Sequence, residues 1–291
     1  MDLSFVKAED GAPMSFIPGG EFLMGTDTGE GYPADGEGPA RLVKLRPFFM
    51  DTMAVSNERF SAFIADTSYV TGAEREGWSF VFAGLLPDDF EDTRAVADAP
   101  WWRQVFGATW RTPEGPQSSL SGRAAHPVVH ISWADASAYA AWAGKRLPSE
   151  AEWERAARGG LDGARYPWGD ELTPADVHRC NIWQGTFPRE NTLGDGFYGT
   201  APVDSYEANG FGLYNMVGNA WEWCADWFSP YHDLADRVDP RGPAMATSRV
   251  MRGGSYLCHE SYCFRYRVAA RSANTPGSTT GNLGFRCARD A

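Results

Sequence analysis

The stretch VVHISWADASAYAAWAGKRLPSEAEWERAARGG, residues 128–160, decides the fold class because it has the clearest helical signals in the chain. Two serines, Ser132 and Ser149, each precede an acidic residue by three positions, which is the spacing of the capping box that begins a helix. Glycines, which commonly end helices, follow the two patterns at Gly144 and Gly159. The stretch therefore predicts two consecutive helices.

The segments on the N-terminal side show strand signals followed by another helix. FIPGGEFLMGT (16–26) alternates apolar and small residues after a Pro-Gly-Gly turn and predicts one strand. RLVKLRPFFMD (41–51) predicts a second strand. Ser56 is placed to cap a helix whose apolar residues recur at helical spacing. These apolar residues are Phe60, Phe63 and Ile64.

The remaining segments predict little regular structure. Residues 77–123 contain four prolines and four tryptophans, and we expect an irregular, aromatic-rich loop region there. From Gly163 onward Gly, Asn, Asp and Pro recur every few residues, so only short strands and loops are expected. The sequence shows no internal repeat and no linker. We therefore predict a single mixed α/β domain over residues 1–291, with low regular secondary structure.

Composition and charge exclude some classes of function. The 291 residues have a net charge of −12, which argues against nucleic acid as a partner because phosphate contacts need clustered Lys and Arg. No apolar run approaches the length of a membrane span. The opening residues MDLSFVKAEDGAPMSF do not resemble a secretory signal. We expect a cytoplasmic monomer that binds neither membranes nor nucleic acid.

The cysteines point to chemistry rather than to a disulfide framework, since their number is odd and their spacing sparse. Cys258 and Cys263 lie within GGSYLCHESYC (253–263). On an extended strand they would be about 16 Å apart, so the chain must turn between them if they act together. They could then form a disulfide, hold a soft ion such as Cu(I), or remain two buried free thiols.

These residues also carry a family resemblance. The sequence resembles the formylglycine-generating enzymes, also called sulfatase-modifying factors, over nearly its whole length. The cysteine pair, together with the NTP and NLGFRC tail, is specific to the enzymes within a wider superfamily. The similar segments are PGGEFLMG (18–25), HPVVHISWADASAYAAWAGKRLPSEAEWE (126–154), YPWGD (166–170), NIWQG (181–185), GTAPVDSY (199–206), NGFGLYNMVGNAWEWCADWF (209–228), GGSYLCHESYC (253–263) and RSANTP…NLGFRC (271–287).

The resemblance implies a fold that is related to the C-type lectins. It also implies that the protein is a copper-dependent oxidase. Its expected reaction uses molecular oxygen to convert the cysteine of a C-x-P-x-R motif in an unfolded sulfatase to Cα-formylglycine. Cys258 and Cys263 match the thiolates that bind Cu(I), and the substrate cysteine is expected to join them as a third. Ser255 and Trp221 match residues that line the oxygen pocket. Whether the resting site holds copper or a disulfide stays open.

The resemblance also implies two Ca²⁺ sites built from oxygen ligands. The first matches Asn181, Ile182, Asp195 and Phe197. The second matches Asn215, Gly218, Ala220 and Glu222. Ions at these positions would hold together loops that have little secondary structure of their own.

One departure from the family concerns its structural disulfides. Three of the four cysteine positions of the secreted-pathway members are Ala140, Ala157 and Val268 in this chain, and only Cys287 remains. The corresponding bridges cannot form. This departure favours a reducing compartment.

Two other functions are compatible with the superfamily. A non-haem iron sulfoxide synthase would take histidine ligands from an additional helical domain, for which this chain is too short. A non-catalytic, lectin-like calcium-binding module would need no cysteine pair. For the enzyme, an extended substrate segment is expected, and Trp101 and Trp102 are candidates for one wall of its groove.

Overall fold

A computed structural model describes residues 5–7 and 10–291 of the chain, and its strands form four small sheets. The first sheet joins the two ends of the chain. Its strands lie in the order β1-β2-β5-β13, and every pair is antiparallel. These strands are β1 (Phe5–Lys7), β2 (Pro13–Ile17), β5 (Phe48–Asp51) and β13 (Ala288–Asp290).

A two-stranded sheet corrects the strand predictions for the N-terminal segments. It pairs β3 (Gly20–Met24) with β4 (Arg41–Leu45). Residues 16–26 and 41–51 therefore each contribute to two strands in different sheets, and the prediction of one strand apiece is wrong. Each segment turns between its two strands, one at Gly19 and the other at Pro47, and the two turns pack against each other. A Cβ on Gly19 would lie 2.8 Å from the backbone nitrogen of Pro47, so only glycine fits where the two turns meet.

The region 77–123 also differs from its prediction, because it contains a three-stranded antiparallel sheet. The strands are β6 (Trp78–Phe82), β7 (Ala95–Val96) and β8 (Ala99–Phe106), in the order β6-β8-β7. Only Val105 of β8 is buried, and the buried positions of β6 begin with the polar Ser79, so the apolar alternation that marks a strand in sequence is weak. The prediction of an irregular loop is therefore wrong for this part of the region.

The sheet that carries the candidate site lies in the C-terminal half. Its order is β11-β10-β9-β12, with β12 parallel to β9 and the other pairs antiparallel. The strands are short, as predicted for the chain after Gly163. They are β9 (Trp221–Trp227), β10 (Arg249–Arg252), β11 (Ser272–Asn274) and β12 (Leu283–Gly284).

The helical predictions are confirmed. Ser56 caps the first helix, and both capping boxes form, with Ser132 and Asp135 at one helix and Ser149 and Glu152 at another. The helices of the described residues are α1 (Asn57–Thr67), α2 (Gly72–Glu76), α3 (Trp133–Trp142) and α4 (Glu150–Arg158). None of them is long and apolar enough to cross a bilayer.

Two hydrophobic cores determine where the cysteine pair lies in the fold. The larger core packs α1 and α3 against the β9 sheet and includes Trp221, Cys258 and Cys263. The second core packs α4 against β3, β4 and β5. The cysteine pair thus lies at the edge of the main core rather than on an exposed loop. The predicted fold class, mixed α/β with few regular elements, is confirmed.

Candidate active site and cation sites

The two cysteines are brought together by residues 255–263, named the cysteine loop here. The loop turns twice: Cys258 N–H donates to Ser255 O at 2.9 Å, and Cys263 N–H donates to His259 O at 2.7 Å. Both cysteines are buried and line the same cavity, and each thiol shifts the pKa of the other. The turn that the spacing of Cys258 and Cys263 required is therefore present.

The first half of the cysteine loop is held by neighbouring segments. Trp183 N–H donates to Cys258 O, and Tyr256 N–H donates to Asn219 O, both at 3.0 Å. Ser255 N–H points at the Cys258 sulfur at 3.4 Å. Because these donors are backbone groups, the position of the Cys258 sulfur is fixed by the fold itself.

The two thiols of the pair differ in acidity. Burial, together with the hydrogen bond to Cys263, raises the pKa of Cys258. The pKa of Cys263 is lowered by its hydrogen bond with Cys258 and by the nearby Arg265 guanidinium, which outweigh the effect of burial. In the other three cysteines burial raises the pKa. Cys263 is therefore the thiol most readily ionised.

A cavity of about 180 Å³ opens onto the pair. Trp221, which belongs to β9, and Ser255 line it, so the structure brings both predicted pocket residues next to Cys258 and Cys263. Trp102 also lines the cavity, as predicted for one wall of a groove. Trp101 instead packs edge-on against Tyr262, with ring centroids 4.7 Å apart.

The lining residues that were not assigned a role from the sequence include Asn282, Tyr262 and Arg265. Asn282 donates to Ser255 Oγ at 2.9 Å and accepts from Thr280 Oγ1 at 2.7 Å. It therefore orients the serine hydroxyl. The sequence could have pointed to Asn282 through its place in NLGFRC, which is one of the segments that resemble the family.

The first predicted calcium set comes together in one loop cluster. Asp195 accepts from Ile182 N–H at 3.0 Å and from Phe197 N–H at 3.2 Å. Burial raises the pKa of Asp195, and no guanidinium or ammonium among the described residues forms an ion pair with it. The side-chain oxygen of Asn181 is buried without a hydrogen-bond partner. A buried carboxylate beside an unpartnered amide oxygen fits a hard cation.

In the second predicted calcium set, the only carboxylate, that of Glu222, already has hydrogen-bond partners. Asn215 again has a buried, unpartnered side-chain oxygen. Glu222, however, accepts from Arg286 through both carboxylate oxygens at 2.7 Å and from Trp153 Nε1 at 2.8 Å. A cation there would compete with a buried guanidinium. Glu222 is thus already paired with Arg286, and its assignment to a second calcium site with Asn215, Gly218 and Ala220 stays a prediction.

Other metal chemistry finds no support in the described part of the chain. Residues 10–291 contain no group of three or more His, Cys, Asp or Glu side chains that could hold a metal ion. The cysteine pair accordingly has no third ligand of these types. His126 and His130 bond to Thr200 and Ser79, away from the cysteines. The histidine set required by an iron sulfoxide synthase is not assembled in these residues.

Comparison with known proteins adds the family context. Residues 3–291 match the family described as "Sulfatase-modifying factor enzyme 1-like domain". The chain is 61% identical to a formylglycine-generating enzyme of Thermomonospora curvata, covering 95% of this chain and 93% of the relative. It is 55% identical to the formylglycine-generating enzyme of Bos taurus, covering 94% and 74%. A relative from Mus musculus named "Inactive C-alpha-formylglycine-generating enzyme 2" is 45% identical, covering 99% and 89%.

Among solved structures, PvdO from Pseudomonas aeruginosa superposes with a TM-score of 0.71 at 25% identity, covering 99% of this chain and 98% of that one. Variable protein 1 of Treponema denticola gives a TM-score of 0.62 at 20% identity, with full coverage of both chains. The second likeness shows the fold alone. The arrangement of short sheets and long ordered loops is therefore shared over the whole chain.

Proposed function

The chain belongs to the sulfatase-modifying factor family of formylglycine-generating enzymes, and on that premise we propose that it oxidises a cysteine of a sulfatase. The proposed substrate is the cysteine of a C-x-P-x-R motif in an unfolded sulfatase, and the product is Cα-formylglycine. Oxygen takes up the two electrons and two protons that the –CH₂SH group loses and is reduced to hydrogen peroxide; reduction to water would draw two further electrons from an external thiol. Water then hydrolyses the thioaldehyde to the aldehyde and sulfide, so the atoms balance.

Copper fits the residues that are present. Two buried thiols that line one cavity form a soft donor set of low coordination number, which suits Cu(I) better than a hard cation. Cys258 and Cys263 would hold the ion, and its open side would face the cavity. Bound there, copper would supply the one-electron oxygen chemistry that side chains cannot provide.

The chain's own residues orient the reactants and exclude water. Ser255, whose hydroxyl oxygen is held by Asn282, lines the cavity beside Cys258. Trp221 supplies an apolar wall that keeps the cavity dry, where electrostatic interactions are stronger than in water. Trp102 forms part of the wall on the open side, where a substrate segment enters.

We also propose one structural Ca²⁺ ion at the first cation site. Asn181 and Asp195 supply side-chain oxygens, and Ile182 and Phe197 supply backbone carbonyls. The unpartnered oxygen of Asn181 supports this assignment. An ion there would compensate the charge of a buried carboxylate in a region without regular structure.

One observation carries the proposal: Cys258 and Cys263, both buried, line the same cavity together with Ser255 and Trp221. Family membership alone does not carry it, because a relative at 45% identity is named inactive. A lectin-like module without catalysis would have no use for this arrangement. The expected monomeric state and the cytoplasmic location stay predictions.

The test is mass spectrometry of a C-x-P-x-R peptide incubated with the protein, Cu(I) and oxygen. Replacement of –CH₂SH by –CHO on the cysteine is the expected result. Alanine variants at Cys258 and Cys263 should each abolish it, whereas Cys180→Ala and Cys224→Ala serve as matched controls that retain turnover. Turnover by the Cys258→Ala variant, or no product from the wild-type chain, would refute the proposal.

A further inference from the structure

A segment far away in sequence crosses the cysteine loop. Residues 32–37, named the acidic strap here, contain a short 3₁₀ turn (Pro33–Asp35) and then Gly36, which has a φ of 63°. A Cβ on Gly36 would lie 2.2 Å from the carbonyl oxygen of Pro230, so only glycine allows the strap to dock this closely. The strap is therefore built to lie against the body of the protein.

The Tyr32 hydroxyl of the strap bonds to the backbone on both sides of Cys263. It accepts from Phe264 N–H at 3.1 Å and donates to Tyr262 O at 3.2 Å. A phenol can do both at once because it is donor and acceptor. The Cys258 half of the loop is held by Trp183 and Asn219, whereas the strap holds the Cys263 half.

Arg265, two residues beyond Cys263, is fixed by the same strap. Its Nε and Nη2 donate to the two oxygens of Asp35 at 2.5 Å and 3.1 Å. The guanidinium carbon lies 4.0 Å from the centre of the Tyr32 ring. A second fork joins Arg267 to Glu37 at 2.6 Å and 2.7 Å. Bidentate pairs of this kind fix geometry as well as adding attraction.

Two buried ion pairs are a poor choice for stability alone. Well-packed apolar residues often stabilise as much or more, whereas ion pairs specify a single arrangement. Asp35 and Glu37 are only 7% and 6% exposed, so their guanidinium partners cannot be replaced by water. The acidic strap is thus suited to fixing the position of the loop backbone that carries Cys263.

We propose that Tyr32 and Asp35 are positioning residues that hold Cys263 beside Cys258, through the backbone on either side of Cys263 and through Arg265. The role in copper binding rests on the function proposed above, but the positioning of Cys263 does not require the metal. Without the strap, the Cys263 half of the loop would open locally, while the rest of the fold stayed closed.

The test measures iodoacetamide alkylation of all five cysteines in the reduced, copper-free, full-length protein, resolved by mass spectrometry. All five thiols are buried, so each one reports local opening at its own position. The variants are Tyr32→Phe, which removes one hydroxyl, and Asp35→Asn, which breaks the fork. Tyr69→Phe is the matched control for the first, since Tyr69 donates its hydroxyl to Asp135 away from the site.

Glu114→Gln is the matched control for Asp35→Asn. Glu114 and Arg123 form a bidentate pair whose side chains are 14% and 28% exposed, against 10% and 23% for Asp35 and Arg265. Breaking either pair should cost a similar loss of overall stability. Any effect specific to Cys263 is then due to position and not to the loss of an ion pair.

The expected result is an alkylation rate at Cys263 raised about fivefold or more in Tyr32→Phe and Asp35→Asn, relative to Cys180, Cys224 and Cys287 in the same molecule. The two controls should show no such preference. A uniform rise at all five cysteines, or a Cys263 rate no higher than in the controls, would overturn the proposal.

Cu(I) affinity, measured by competition with a chromogenic chelator, gives the second readout. Changes in groups that orient metal ligands typically weaken binding by about 10–100-fold, and we expect at least the lower figure for Asp35→Asn. Wild-type affinity in both strap variants would also count against positioning. A wild-type chain that binds no Cu(I) would refute the proposed function instead, and the alkylation pattern would still decide the role of the strap.

Discussion

His130 shows at the scale of a single residue how burial sets a protonation state. It is fully buried, with Nδ1 2.7 Å from Ser79 Oγ and Nε2 2.8 Å from the carbonyl oxygen of Pro113. Because the carbonyl can only accept, Nε2 carries a proton. Burial lowers the pKa of His130 to about 4. The fold therefore accepts only the uncharged ring at neutral pH.

A pH dependence of stability follows from this pKa. In the unfolded chain the histidine binds a proton near its usual pKa of about 6.5, whereas the folded chain resists protonation down to about 4. The stabilisation is complete above about pH 6.5 and is lost as pH falls towards 4, with a total of up to about 3 kcal/mol. His130→Asn should reduce this fall, because asparagine does not titrate and tolerates the left-handed φ of 61° at this position.

Urea unfolding of both proteins at about pH 7.5 and about pH 5 measures the effect. The variant is expected to be less stable at the higher pH, since it loses part of the hydrogen bonding, but to lose less stability on acidification. Parallel pH profiles for the two proteins would contradict the assignment of the titration to His130.

Asn282 offers a prediction about the chemistry of one side chain. It is buried, and its amide donates to Ser255 Oγ while its oxygen accepts from Thr280. Asn282→Ala should lower kcat for a C-x-P-x-R peptide by about tenfold, because the serine hydroxyl loses its orientation. If Asn282 acts through Ser255, the double variant with Ser255→Ala should be no slower than the slower single variant. Independent, additive losses would argue against this coupling.

At the scale of elements, local signals in the sequence were sufficient where hydrogen bonds are local. The helix that begins after Ser132 and the one that begins after Ser149 were predicted because each capping box closes within four residues. The turns at Gly19 and Pro47 were missed because their close contact depends on two segments meeting in space. The sheet formed by residues 78–106 was missed because β8 is only partly buried and the alternating pattern of β6 buries a polar serine, Ser79.

The loop of the first cation site gives a prediction at the same scale. Asp195 and Asn181 hold together a stretch that lacks regular structure, so a bound ion should stabilise the fold. Calcium at a hundred times its dissociation constant would add about 2.7 kcal/mol, and chelation should lower Tm by a few degrees. Asp195→Asn should remove this chelator effect.

Asp170→Asn is the control for that experiment, because Asp170 is an exposed loop aspartate that bonds only the backbone N–H of Arg165. Differential scanning calorimetry measures Tm for the Asp195→Asn and Asp170→Asn variants, each with and without chelator. An unchanged chelator effect in Asp195→Asn would exclude this site. A chelator effect that disappears in the Asp170 variant would place the ion elsewhere.

At the scale of the whole molecule, the cysteine pair and its pocket could be predicted, but the parts that hold them could not. The five-residue spacing and the family resemblance identified Cys258 and Cys263, and the structure places Ser255 and Trp221 beside them. The strap lies about 230 residues away in sequence, and nothing near Asp35 indicates its partner. The pairing of Glu222 with Arg286 could not be predicted for a similar reason, since Arg286 lies 64 residues downstream.

The size of the cavity leads to a prediction about how substrate is recognised. About 180 Å³ accommodates one or two side chains and not a folded domain, so the rest of the motif must lie on the surface beside Trp102. The substrate arginine would then contact the surface of a protein whose net charge is −12. Its contribution should be nearly equal in the bound substrate and in the transition state, because the arginine lies away from the reacting sulfur.

Replacing the arginine of a C-x-P-x-R peptide by alanine should therefore raise KM more than it lowers kcat, which is the pattern of lost uniform binding. A peptide with Lys in place of Arg is the matched control, because it keeps the positive charge. Its KM should lie between those of the arginine and alanine peptides. Steady-state kinetics on the three peptides at saturating oxygen provide the measurement, together with a folded sulfatase as competitor. A loss that falls wholly on kcat would mean that the arginine acts in the chemical step. Faster turnover of the folded protein would mean that the cavity admits more than an extended segment.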